Sequence, residues 1–334
     1  MKIEILWLLN LQIIYIYAIN CKQGPTCLIT RSHKMKTADC YNREFREFPQ
    51  CLTSDVEVID LGYNRIRKIT RSDLSKFSSL KFLYLGDNLI SKLDKDLFED
   101  AYRLTTLDLS LNAILTIPPS IFHLPYLNSL YLKQNSNINI VKAVEAASPI
   151  SSPLIQIDIS KTTDAENPTN FPNFGLMPLL TTLNVSGNFY FNVTPGLFMG
   201  LCNLQKLIND NITVAFNDTC DCWRVNYWLK TRQVQFTRFI CLIAESQCTV
   251  TLKDEDLQLF SQCNIKFEAI KRNNLLKSIC IGVGATAAVI IIMSFLIFLY
   301  CRKNRKHKNK PAKTLDSIGD DSPLRMKTVE NIYK

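Results

Sequence analysis

"LTTLDLSLN", residues 104–112, sets leucine at 104, 107 and 109 and closes with asparagine at 112. Apolar residues at offsets 0, 3 and 5 match neither the period of two of a half-buried strand nor the 3.6 of an amphipathic helix. The order recurs as "VEVIDLGYN" (56–64), "LKFLYLGDN" (80–88), "LNSLYLKQN" (127–135) and "LTTLNVSGN" (180–188), and a weaker copy, "LIQIDISKT" (154–162), ends on Thr162. The starts at 56, 80, 104, 127, 154 and 180 lie 24, 24, 23, 27 and 26 residues apart, and a ragged seventh follows at Leu204. A recurring unit of this length marks a repeat architecture. Prolines in "TIPPSIF" (116–122) and "NPTNFPNF" (167–174) argue against an array of plain helices.

The motif resembles the leucine-rich repeat, L-x-x-L-x-L-x-x-N-x-L, with Ile66, Ile90, Ile114 and Tyr190 at the position two beyond the asparagine. The resemblance covers about residues 21–263 and implies an α/β solenoid with a concave parallel β-sheet, to which each repeat contributes one short strand. About six to seven repeats are expected over 56–216, with the asparagine amides satisfying backbone groups of the turn that leaves each strand. A single repeat cannot bury its own apolar edge, so the two ends of such a stack need lids.

The cysteines are placed as lids require. Twelve occur, and none lies between Cys51 and Cys202, across the best repeats. Clusters on both flanks read as disulfide-bonded caps formed in an oxidising compartment, one over 21–55 and one over 217–263. At the first, Cys21, Cys27, Cys40 and Cys51 allow three pairings, in a looser spacing than the family's usual cap. At the second, "NDTCDCWRVNYWL" (217–229) matches the family pattern through Cys220, Cys222, Trp228 and Leu229. Carried over from the family, Cys222 pairs with Cys263 and Cys220 with Cys241 or Cys248, which leaves Cys202 and one other to bond each other or stay as thiols. Zinc is not expected, because paired C-x2-C motifs are absent and the three histidines (His33, His123, His307) are scattered.

Residues 1–20 read as a signal peptide, from Lys2 and the apolar run Ile5 to Ala18. After an expected stalk over 264–277, "SICIGVGATAAVIIIMSFLIFLYC" (278–301) carries no charge and is long enough for a transmembrane helix. Seven Lys or Arg fall between 302 and 313, so the excess of positive charge places the repeats outside the cell and the short tail, 302–334, in the cytoplasm. That tail carries ten basic and four acidic side chains, and its +6 accounts for most of the chain's +9. Nucleic acid is therefore not an expected partner. The expected place is the plasma membrane, as a single-pass type I protein. Cys301 is a lipidation candidate at the membrane boundary, and the basic run is one for anionic lipid.

No catalytic or phosphate-binding motif occurs, so neither an enzyme nor a cofactor is expected. A repeat solenoid with a concave sheet is a binding surface, and the partner expected is an extracellular or membrane protein. Between the second and third motif leucines stand Asp60, Tyr84, Asp108, Tyr131, Asp158 and Asn184, and one position outward Val58, Phe82, Thr106, Ser129, Gln156 and Thr182. Carboxylates and tyrosines, with Phe82 beside Tyr84, suit a lysine- or arginine-bearing protein surface. Four sequons, at Asn184, Asn192, Asn211 and Asn217, are glycosylation candidates. The outline resembles neuronal and synaptic leucine-rich repeat membrane proteins, which implies recognition or adhesion. It also resembles the gamma subunits of potassium channels, which would place activity in the span and the basic run.

Overall fold

The computed structural model describes residues 25–136 and 138–308, without the side chains of 303–308. The expected signal peptide, Cys21 and the tail from 309 onward lie outside the described residues. The chain divides into a unit ending at Lys271 and a second beginning at Arg272.

The first unit is a leucine-rich repeat solenoid. Its nine-stranded sheet opens with a hairpin of β1 (Leu28–Ser32) and β2 (Met35–Asp39), turning through His33 and Lys34 at φ 49° and 70°. Two successive positive φ values are those of a type I′ turn, whose twist suits the two strands. One strand per repeat then follows: β3 (Val58–Asp60), β4 (Phe82–Tyr84), β5 (Thr106–Asp108), β6 (Ser129–Tyr131) and β7 (Gln156–Asp158). The sheet skips β8 (Thr169–Asn170), continues with β9 (Thr182–Asn184), skips β10 (Phe189–Val193) and ends with β11 (Lys206–Ile208). From β2 onward every pairing is parallel. Each repeat strand buries its central residue, from Ile59 through Leu83, Leu107, Leu130, Ile157 and Leu183 to Leu207. Because strand side chains alternate, the two flanking positions face outward. Val58 is the exception among the expected outward residues, since it too is buried.

Opposite the strands a second layer fills the solenoid. Phe77, Phe98, Phe122 and Phe198 are almost wholly buried there. Short helices carry part of this side: α1 (Arg71–Leu74), α2 (Ile140–Ala146) and α3 (Gly196–Met199).

The asparagines bond as their chemistry allows. Asn112 donates from Nδ2 to the carbonyl of Leu109 in its own turn at 3.0 Å and to that of Leu85 in the preceding repeat at 2.9 Å, while its Oδ1 accepts from Ile90 N at 3.0 Å. Asn64, Asn88, Asn135 and Asn188 repeat this bracing. Thr162 has a single hydroxyl proton, which it donates to Ile159 O at 2.9 Å within its own turn. The residue before each of these positions is left-handed: Tyr63, Asp87, Leu111, Gln134, Lys161, Gly187 and Asn211 have φ between 54° and 66°. Only one of the seven is glycine, although the left-handed region disfavours L side chains.

In the C-terminal repeats the far side carries a second sheet, in which β10 pairs in parallel with β8 and with β12 (Thr213–Phe216). Asn209 occupies the third leucine position of the last repeat. It is buried because it exchanges two hydrogen bonds with the Thr237 backbone, at 2.7 and 2.9 Å, and so fastens the C-terminal cap.

Cys27 bonds Cys40, and Cys51 is also disulfide-bonded. In the C-terminal cap the bonds are Cys220–Cys248, Cys222–Cys241 and Cys202–Cys263. The expected Cys222–Cys263 bond is therefore replaced. Cys222 lies in α4 (Asp221–Thr231), one turn before Asn226, whose side chain bonds both Phe239 N and Phe239 O at 3.0 and 2.9 Å. That clamp sets Cys241, two residues beyond Phe239, against Cys222. Cys263 lies in the long helix α5 (Asp254–Lys308) and bonds Cys202 at the foot of the last repeats. Leu229 is buried in the core, while Trp228 meets Phe260 of α5 edge-on at 4.8 Å and Arg232 lies 4.3 Å over the same ring. Residues 264–277, expected as a stalk, are helical within α5. Asp254–Arg302 is long and apolar enough to cross a membrane, with a mean hydropathy of 2.5 in its most apolar window.

Candidate recognition face

The register of the sheet decides which side chains share a row. Asp60 stands opposite Tyr84, then Asp108, Tyr131, Asp158 and Asn184, each pair one strand apart. At roughly 4.8 Å per strand the six form a strip about 24 Å long. The parallel row of Phe82, Thr106, Ser129, Gln156 and Thr182 lies beside it, and Phe82 stacks near Tyr84 with ring centroids 6.5 Å apart. All the expected strip residues thus come together. The strip also extends one strand further than expected, because β2 places Asp39 opposite Asp60. The signal for this was present: "TADCYN" (37–42) carries Asp39 and Cys40 as "VIDLGYN" carries Asp60 and Leu61.

The carboxylates have a second task. Oδ1 of Asp60 accepts from Gly62 N at 2.9 Å, that of Asp108 from Ser110 N at 2.8 Å and that of Asp158 from Ser160 N at 2.9 Å. Asp39 and Asn184 do the same for Tyr41 N and Ser186 N. These are Asx turns that begin the exit from each strand, so one oxygen of each carboxylate is committed to structure. The other oxygen of Asp158 accepts from Asn184 Nδ2 at 2.9 Å. Among the described residues no lysine or arginine pairs with Asp39, Asp60, Asp108 or Asp158. Partial burial, with the like charges of Asp39 and Asp108 nearby, raises the Asp60 carboxyl above its ordinary value. Burial, then Tyr131 and the two carboxylates, likewise raises the Tyr84 phenol.

Beside the strip, over the turns that leave the first strands, lies a depression of about 330 Å³. Asp60, Tyr84 and Asp108 line it together with Tyr41, Tyr63, Gly62 and Gly86. Tyr41 and Tyr63 were not among the sequence candidates. Tyr63 is a left-handed turn residue, a position that no hydrophobic pattern singles out.

The sequons fall on two surfaces. Asn184 belongs to the strip and its amide is engaged by Asp158. Asn192, Asn211 and Asn217 are exposed, in or flanking strands of the second sheet. Cys301 is an exposed thiol of α5.

A leucine-rich repeat family model matches residues 78–138. Among similar proteins, Toll-like receptor 2 type-2 of Gallus gallus is 28% identical over 57% of this chain and 24% of its own length. Human epiphycan is 34% identical over 28% of this chain and 29% of its own. The platelet glycoprotein Ib alpha chain of Mus musculus is 27% identical over 33% of this chain and 15% of its own. The chain therefore spans about a quarter of the length of the avian receptor it matches. A crystal structure of the mouse RP105/MD-1 complex overlays with a TM-score of 0.44 at 20% identity, over 54% of this chain and 30% of that one. Repeat register, bonded caps and family match together make this chain a leucine-rich repeat protein of the disulfide-capped, extracellular type.

Proposed function

We propose that this protein is a non-enzymatic cell-surface recognition protein that binds a basic segment of a protein partner along the strip from Asp39 to Asp158. The observation that carries this reading is a row of four carboxylates and two tyrosines, in register, without a cation of its own chain. Desolvating a carboxylate beside two others costs stability, and an uncompensated cost of this kind marks functional sites more often than structural ones. The tyrosines offer rigid, amphipathic contact area of the type that anchors protein interfaces. Similarity to Toll-like receptors and to other leucine-rich repeat proteins supports recognition rather than catalysis.

In this proposal α5 is the single span, and the basic run after residue 301 keeps the tail in the cytoplasm. The sequons then face outside and accept glycans at Asn184, Asn192, Asn211 and Asn217. A synaptic setting enters the proposal only through the outline of caps, few repeats, one span and a short tail.

The test is an affinity measurement between cells or vesicles bearing the full chain and a library of cell-surface proteins, repeated with Tyr84→Ala, Tyr131→Ala and Asp108→Asn. Asparagine is chosen at 108 because it keeps the acceptor for Ser110 N while removing the charge. Each tyrosine change should weaken binding by about 2 kcal/mol or more without altering the melting temperature. Unchanged affinity in all three variants, with activity lost only on exchange of 278–313, would move the function from the concave face to the span.

A further inference from the structure

The depression at the N-terminal end of the strip has walls of a specific kind. Tyr41 and Tyr63 are 53% and 52% exposed, yet their rings stack with centroids 6.0 Å apart and planes 28° from parallel. They stand beside Asp60, which pairs with Tyr84 across β3 and β4. The floor is bare because two turn positions are glycine. A Cβ on Gly62 would lie 3.2 Å from both Asp60 Oδ1 and a Tyr41 ring carbon, and one on Gly86 would lie 3.3 Å from Asp108 Oδ2. At about 330 Å³ the space falls at the lower end of the roughly 300–1,000 Å³ typical of ligand pockets, which suits one long side chain.

We propose that this cavity receives an arginine side chain of the partner, its guanidinium flat against the tyrosine rings and its N–H groups directed to the oxygens of Asp60 and Asp108 that the turns leave free. The inference rests on the recognition reading above and adds the residue that is recognised. Arginine fits better than lysine because its guanidinium is planar, weakly hydrated and able both to stack on an aromatic face and to bond two acceptors at once. Tyrosine walls would serve little purpose in attracting a compact, strongly hydrated ammonium.

The experiment uses the full chain in nanodiscs of zwitterionic lipid, with fluorescein-labelled octa-arginine, octa-lysine and octa-glutamine peptides as probes and anisotropy as the readout. The arginine peptide should bind several-fold more tightly than the lysine peptide, and the glutamine peptide should not bind. Tyr63→Ala, a change at an exposed turn residue, should weaken arginine binding about tenfold and collapse the preference over lysine while the melting temperature holds. Gly86→Leu, which fills the floor, should do the same. Equal binding of the arginine peptide by the parent, Tyr63→Ala and Gly86→Leu would overturn the cavity. Tyr131→Ala and Asp158→Asn lie on the strip outside the cavity and separate the two readings. Loss in these alone would leave the strip standing and remove the cavity, whereas loss in Tyr63→Ala alone would support the cavity and remove the rest of the strip.

Discussion

The repeats from 56 to 126 and those from 154 onward are built from one motif, yet they are held to their neighbours differently. In the first group every turn has its asparagine, and each amide ties a repeat to the one before it. On the far side of that group lie turns and short helices, with no strand. In the second group the ladder is interrupted at Thr162, whose hydroxyl bonds within its own turn and leaves no second donor for the preceding repeat. There the far side carries β8, β10 and β12, and their pairings join successive repeats from the opposite edge. Asn188 also takes up the slack, accepting from the backbone N–H of both Thr162 and Thr163. Neighbour-to-neighbour coupling, the source of stability in a solenoid, is thus supplied mainly by side chains in one half and partly by backbone in the other.

The comparison can be broken most directly at the core, which should matter equally in both halves. Leu107→Ala and Leu183→Ala each remove a wholly buried side chain and should cost about 2 to 5 kcal/mol by denaturant unfolding. A cost near zero at either site would mean that the register assigned to that half is wrong. The ladder should matter unequally. Asn112→Ala leaves Ile90 N and Leu85 O without their partner and should cost about 1 to 3 kcal/mol, whereas Thr162→Ala loses one bond within its turn and should cost about 0.5 to 1.5 kcal/mol. Equal losses would show that the cross-repeat bond is not what distinguishes the halves.

Smaller effects sharpen the picture at the turns. Leu111 is partly exposed and left-handed, so Leu111→Gly should relieve backbone strain and, after glycine's extra unfolded-state entropy, gain less than about 1 kcal/mol. Gly187→Ala should lose stability, because φ is +66° and the new Cβ would meet Lys161 Cγ at 2.9 Å. Paired thermal melts check both signs.

The smallest expected effect is on the strip and depends on pH. Burial and the neighbouring carboxylates raise the folded-state value of Asp60 above 3.8, so the folded form holds its proton more tightly than the unfolded form. Stability of the parent should therefore fall as pH rises through that raised value, and the whole penalty should be present at neutral pH. Asp60→Asn keeps the acceptor for Gly62 N and carries no charge. The variant should melt above the parent at pH 7, and the difference should fade as the pH is lowered. A variant less stable than the parent at pH 7 would mean that the carboxylate is favourably held, and that the strip has no charge to offer.

Much of this was legible in the sequence by itself because it is periodic or local. Leucine spacing determined the strands and their buried residues, and the column of Asp60, Tyr84, Asp108, Tyr131 and Asp158 followed from counting within the motif. The asparagine position determined which turns are braced, the cysteine clusters determined where the caps lie, and an uncharged run determined one helix fit to span a membrane. What tertiary structure alone decided are contacts between residues far apart in the chain. Cys263 bonds Cys202 rather than Cys222 because Asn226 draws the Phe239 segment, and with it Cys241, to Cys222. Tyr41 and Tyr63 wall a cavity because cap and repeat strands lie side by side, and the strip's carboxylates prove to be turn acceptors only once the strand exits are seen. The physical reason is the same in each case: a repeat motif encodes how a segment meets its neighbour one period away, whereas cap pairing and the cavity depend on how distant backbone segments are held together.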